Sequence, residues 1–147
     1  MSAYKKIECD IVDKDTLLEA LKLLGFSPDV LNEPKNLTGY RGDERKEIAH
    51  IIIPRDQVNK FTGASNDIGF FWNEAEEKYN FILSDYDKAK HMDQRIIQAY
   101  VKVAIEKALA KNAFYKKALA KIFLDFFILI FYFDFCHLSF FEVLLLL

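Results

Sequence analysis

The sequence predicts an α+β domain over residues 1–115: a small antiparallel sheet of about four to five strands with two helices packed on one face. Three observations support this. The chain opens with period-two alternation, Ile7, Cys9 and Ile11 falling on one side and Lys6, Glu8 and Asp10 on the other. Further short runs rich in β-branched and aromatic residues follow. From Asp93 the period turns helical, with Ile96, Ile97, Tyr100, Val101, Ala104, Ile105, Ala108 and Leu109 drawing one broad stripe. The strands cluster between two helices, so the order lacks the regular alternation of a doubly wound parallel sheet.

Taken in order, the first strand runs from Tyr4 to Val12. Asp13 or Asp15 can cap the next helix, and Thr16 and Glu19 stand at capping-box spacing. Leu17, Leu18, Leu21 and Leu24 recur at helical intervals before Gly25 stops the helix. Ser27 to Asn36 carries Pro28, Asn32, Pro34 and Asn36 and is predicted as a loop. Ile48 to Ile53 is a β-branched run ended by Pro54, the pattern of a strand buried on both faces or a central one. Residues 55–66, with Gly63, Ser65 and Asn66, are predicted as a polar loop. Ile68 to Asn73 and Tyr79 to Ser84 flank Glu74-Ala75-Glu76-Glu77-Lys78 as a loose hairpin. The helix from Asp93 is predicted to pack across the sheet.

At 147 residues the chain has the size of one domain and can bury a core without disulfides or metal. Lysine and arginine end at Lys121, leaving 20 basic against 19 acidic residues up to that point. This mixed-sign, near-neutral balance offers no concentrated basic face, so no nucleic acid partner is expected. Cys9 and Cys136 lack CxxC spacing, and His50, His91 and His137 show no ligand spacing with one another or with the cysteines. No metal, cofactor or disulfide framework is expected, and a reducing compartment is. Tyr4 to Asp10 reads neither as a secretory signal nor as an Arg- and Ser-rich transit peptide.

Residues 116–147 stand apart as a hydrophobic C-terminal tail. From Ile122 to Leu147 there is no Lys, Arg, Gly or Pro, and 8 of the 14 phenylalanines fall there. About 20 mostly apolar residues suffice to cross a bilayer. Asp134 near the middle costs about 2.5–3.5 kcal/mol, against about 0.3–0.6 kcal/mol returned by each Leu, Ile or Phe. Lys111, Lys116, Lys117 and Lys121 precede the run and would mark a cytoplasmic side. Three origins stay open: a frameshift or read-through in an A/T-rich gene, a membrane anchor, and a packing or oligomerisation segment. Membrane contact is expected only through residues 122–147.

The candidate ligand-binding residues are Tyr40, Arg41, Asp67, Trp72 and Asn73. Gly39-Tyr40-Arg41-Gly42 is a glycine-bracketed turn in which the guanidinium can pair with a carboxylate or phosphate and Tyr40 can stack on a ring. The alternative is a tight bend in which both glycines supply positive φ. Asn66 to Asn73 holds the single Trp between polar residues; Trp72 with Asp67 and Asn73 forms one wall of a groove, or else Trp72 is core. Gly69 within that strand suggests a bulge or a close backbone contact. Asp85 and Asp87 read as turn formers and N-caps, or as an acid pair.

Gly39-Tyr40-Arg41-Gly42, the strand at Ala49 to Ile53, Asp67-Ile68-Gly69-Phe70 followed by Trp72-Asn73, and then Tyr79 and Asp85 resemble, in this order, the hypothetical chloroplast reading frame 35 family of algal plastids, cyanobacteria and cyanophages. The resemblance covers about residues 3–115. It implies a small soluble α+β domain in the plastid stroma or in the cytoplasm of a cyanobacterial or phage-infected host, with no catalytic residue to carry over. The chain departs from that pattern in a longer 55–66 segment, and after Phe114, where a glycine turn and closing hairpin give way to the tail.

The function expected is a non-enzymatic binding or assembly module with a protein or small-molecule partner. Two alternatives stay open. One is a small enzyme acting on an anionic substrate, with Arg41 as anchor and Asp67 or Asp85 as acid or base. The other is a membrane-tethered accessory protein.

Overall fold

In the computed structural model, which describes residues 3–63, 65–112, 117–122 and 124–126, the chain divides into two compact units, Met1–Ile105 and Glu106–Leu147. The tail readings on residues 127–147 lie outside the described residues. Among the described residues no helix is long and apolar enough to cross a membrane.

Local chemistry sets the first elements. Two residues after strand β1 (Tyr4–Ile11) comes Asp13, whose carboxylate accepts from the backbone N–H groups of Asp15 and Thr16 and so caps α1 (Lys14–Leu23). Asp13 is thus the cap, ahead of the Thr16–Glu19 pair. At the other end the Phe26 N–H reaches the Leu21 carbonyl and the Gly25 N–H reaches that of Lys22, both at 2.9 Å, with Gly25 at φ +86°. That is a Schellman ending, and it needs the left-handed residue that glycine supplies.

Beyond it lie β2 (Asp29–Thr38), β3 (Glu44–Ile53), α2 (Arg55–Thr62), β4 (Ile68–Asn73), β5 (Lys78–Ser84), α3 (Asp85–Ala89) and α4 (Met92–Lys111). The five strands form one antiparallel sheet in the order β1-β5-β4-β3-β2, as an α+β fold requires. β2 to β5 are a meander, and β1 joins the far side by pairing with β5.

By register, Ile7, Ile11, Ile51, Ile53, Ile68, Phe70, Tyr79, Phe81 and Leu83 share one face, and the main core forms there. Leu17, Ala20 and Leu21 of α1, Val58 of α2, and Met92, Ile96, Ala99, Tyr100 and Val103 of α4 cover it. Phe70 and Phe81, directly paired across β4 and β5, stack at 4.8 Å with no exposure. Each such ring buried contributes about 2–3 kcal/mol. The Tyr100 hydroxyl accepts from the N–H groups of Val12 and Asp13, both at 3.2 Å, tying α4 to the β1–α1 link.

On the opposite face the β2–β3 hairpin curls back over the sheet. Leu37, Ala49 and Ile52 form a second, smaller cluster with Tyr4, Leu31 and Ile82 against it. Gly69 makes this closure possible: a β-carbon there would lie 2.8 Å from the Ala49 Cβ and 2.9 Å from a Leu37 methyl. The glycine therefore marks a close approach of two strands.

Four sequence expectations are corrected. Residues 27–36 are not a loop; Asp29 onward is edge strand β2, which tolerates Pro34 because the register shifts between Val30 and Lys35. β3 begins at Glu44, four residues before the apolar run. Residues 55–62 are helix α2, not loop, anchored by buried Val58 and by Phe61 against Phe26 at 5.0 Å, which makes the helices more than two. α4 turns toward the core on Met92, Ile96, Ala99, Tyr100 and Val103, leaving Val101, Ile105 and Leu109 of the predicted stripe about half exposed.

Gly69→Ala is expected to lower stability by about 1–3 kcal/mol through overpacking, read as a drop in the urea midpoint. An unchanged midpoint would contradict the close approach of β2 and β4.

Candidate functional site

Three consecutive polar residues, Ser65, Asn66 and Asp67, are buried just before β4. A buried polar segment needs partners for its donors and acceptors, and these partners organise the site. The Asp67 carboxylate accepts from the Thr38 N–H at 2.7 Å and, on its other oxygen, from the Arg55 N–H at 2.8 Å. The Asp67 N–H returns to the Thr38 carbonyl at 2.9 Å, and the Tyr4 hydroxyl donates to the Asp67 carbonyl at 2.9 Å. Asp67 thus joins the end of β2, the first turn of α2 and the start of β1. Pro54, at the N-cap of α2, supplies no side-chain cap, so Asp67 serves that helix from a distance.

Beneath this segment sits Asp87, fully buried. It accepts from the Ser65 and Ser84 hydroxyls and from the Asn66 backbone N–H. Burial pushes its carboxyl above the usual carboxylate range, against the opposing pull of those hydrogen bonds. Burial, and next the charge of Asp67, also push the Tyr4 phenol up.

Above the segment is the β2–β3 turn. The Tyr40 N–H donates to Asn66 Oδ1 at 2.7 Å, the Gly39 N–H to the Asp43 carbonyl at 2.7 Å, and the Gly42 N–H to the Gly39 carbonyl at 2.9 Å. Arg55 Nη1 donates to the carbonyls of Gly39 and Tyr40 at 3.0 and 2.5 Å. Only Gly42 of the two bracketing glycines has positive φ, +82°. Gly39 is required for another reason: the Arg45–Asp43 ion pair lies on it, with Arg45 Nε and the Asp43 carboxylate standing where a β-carbon would be.

The structure brings Tyr40 and Arg41 to this turn and ties Asp67 beneath it. Tyr40 is 57% exposed, and Arg41 is exposed with no hydrogen bond or ion pair among the described residues. Trp72 and Asn73 lie at the other end of β4, about 17 Å away at ~3.4 Å per residue. A single groove holding all five residues is therefore not formed. Asp67 lines a cleft of about 450 Å³ with Thr38, Ile52, Pro54 and Arg55. Trp72 and Asn73 line a separate hollow of about 330 Å³ with Pro34, His50 and Phe71. Trp72 packs on the core edge-on to Tyr79 at 4.9 Å, and its backbone N–H donates to His50 Nδ1 at 3.0 Å. The Asn73 side chain accepts from the Ala75 N–H as a turn former.

Of the groups considered for acid–base chemistry, Asp67 has both oxygens occupied by backbone N–H groups, and Asp85 pairs with Lys5 at 2.7 Å. The Cys9 thiol is pushed up to about 11 by burial and then by the Asp10 charge, so at neutral pH it is the weakly nucleophilic thiol. Among the described residues no group of three His, Cys, Asp or Glu could hold a metal ion. Sequence reasoning missed Ser65, Asn66, Ser84, Asp87 and Arg55 as a set. The available signal was the run of three polar residues directly before an apolar strand.

Asp67→Asn is expected to destabilise the fold by about 1.5–3 kcal/mol, because an amide nitrogen then faces a buried N–H. Chemical denaturation at pH 7 measures it, and a loss below ~0.5 kcal/mol would refute the role given to Asp67. The raised pKa of Asp87 means that the fold favours the protonated acid. Its contribution is full below the unfolded value and is lost as pH rises through the higher folded one. Asp87→Asn should flatten that fall in stability between acid and neutral pH, and an unaltered pH profile would contradict it.

Compared with family models, with curated proteins and with solved structures, the chain matches none.

Proposed function

We propose that the chain is a non-enzymatic binding module whose contact surface is the β2–β3 turn. One observation carries this reading: an exposed Tyr40, and an Arg41 with no partner among the described residues, stand on a turn whose backbone is held by Asn66, Arg55 and Asp43. Tyrosine and arginine are the residues on which binding energy concentrates. Because the turn is already ordered, association loses little conformational entropy there. The occupied oxygens of Asp67, and the absence of Arg41 from both the Asp67 cleft and the Trp72 hollow, argue against an enzyme built on these residues. The resemblance of the Gly39–Gly42 and Asp67–Asn73 motifs to the hypothetical chloroplast reading frame 35 family supports a plastid, cyanobacterial or cyanophage setting.

The test is retention of a partner from native-source extract by the immobilised full chain. Tyr40→Ala/Arg41→Ala should lose that partner while its unfolding free energy stays within about 0.5 kcal/mol of the parent. Retention by the double variant would place the contact surface elsewhere and end this reading.

A further inference from the structure

Of the guanidinium groups at the β2–β3 turn, Arg45 is paired with Asp43, whereas Arg41 and Arg55 have no carboxylate partner among the described residues. The nearby acids are otherwise engaged: Asp43 with Arg45 at 2.9 Å, and Asp67 with the N–H groups of Thr38 and Arg55. Exposed Asp56, next to Arg55 in sequence, forms no ion pair with it.

Arg55 is also oriented. Its Nη1 is fixed on the Gly39 and Tyr40 carbonyls, and its backbone N–H is fixed on Asp67. Gly42 lies beside the guanidinium: a β-carbon there would be 3.6 Å from Nη2 and 3.9 Å from Nη1. Position 42 therefore places no side chain against Nη2. The arrangement is a guanidinium fixed on the turn from α2, a second from Arg41 with no partner among the described residues, and an exposed phenol ring from Tyr40.

We propose that Arg41, Arg55 and Tyr40 form a binding site for a phosphate monoester whose molecule also bears an aromatic ring. The proposal rests on the binding-module reading of the same turn and names the group recognised there. The planar N–H fork of arginine matches two phosphate oxygens. A dianion balances two guanidinium charges, where a carboxylate would leave one over. The aromatic ring of that molecule stacks on Tyr40. An arylphosphate side chain, with the phosphate on the ring itself, and a nucleoside monophosphate, with phosphate and base joined through the sugar, both supply these two groups.

The experiment follows backbone amide shifts of the full chain by NMR at constant ionic strength, with phenyl phosphate as probe up to about 10 mM, the range of weak single-site binding. Saturable shifts at Tyr40, Arg41, Gly42 and Arg55 are expected. Arg41→Gln, which removes no contact of the fold, should weaken binding at least tenfold. Tyr40→Ala should abolish the advantage of phenyl phosphate over inorganic phosphate. Comparing phosphotyrosine with adenosine 5′-monophosphate then assigns the source by the tighter of the two. Shifts that do not saturate, or that survive Arg41→Gln, overturn the proposal. If partner retention is still lost in Tyr40→Ala/Arg41→Ala while phenyl phosphate fails to bind, only the phosphate inference falls; if both fail, the binding-module reading falls with it.

Discussion

The carboxylate of Asp67 is the constraint from which the upper end of the domain is built. It holds the N–H of Thr38 and the N–H of Arg55, two groups that belong to different elements. A hydrogen bond to a charged acceptor contributes about 1.5–3 kcal/mol, and the small exposure of Asp67 leaves little water to replace it. Support for Asp67 comes from one layer deeper. Asp87 fixes Ser65 and Asn66, Asn66 fixes the backbone of Tyr40, and Arg55 closes the turn from the side. The exposed tip is thus the last link of a chain of buried polar contacts that begins inside the fold.

Much of the architecture was legible in the sequence because its signals are local. Asp13, the leucine spacing and Gly25 define α1, alternation defines β1, and short runs rich in β-branched and aromatic residues mark β4 and β5. β2 was hidden because an edge strand need bury little, and its Pro34 falls where the ladder is interrupted. α2 was hidden because a single buried residue, Val58, gives no period to detect. The face of α4 was misjudged because Ala99 and Val103 are buried while the larger Ile105 is not, a choice made by the sheet beneath.

The candidate site was legible only as residue types. Tyr40, Arg41 and Asp67 were singled out, and the structure gathers them at one end of the sheet; Trp72 and Asn73 belong to the other. Strand length decides this, since Asp67 precedes β4 and Trp72 and Asn73 stand at its far end. Asp87 and Arg55 act across 22 and 12 residues of sequence, through contacts that no spacing rule expresses. Both sheet edges are also poor templates for further pairing. β1 loses register between Ile7 and Ile11, and β2 between Val30 and Lys35.

The sheet order also governs when the domain can be completed. β1 pairs only with β5, so Tyr4 meets Ser84. At about 5–20 residues per second, a growing chain keeps its first strand unpaired for roughly 4–16 s. The meander β2 to β5 closes through short connections, whereas β1 closes the longest loop of the sheet and is entropically the slowest to dock. During that wait Lys6 beside Ile7 and Asp10 beside Ile11 are charges that keep a waiting strand from adhering to another chain.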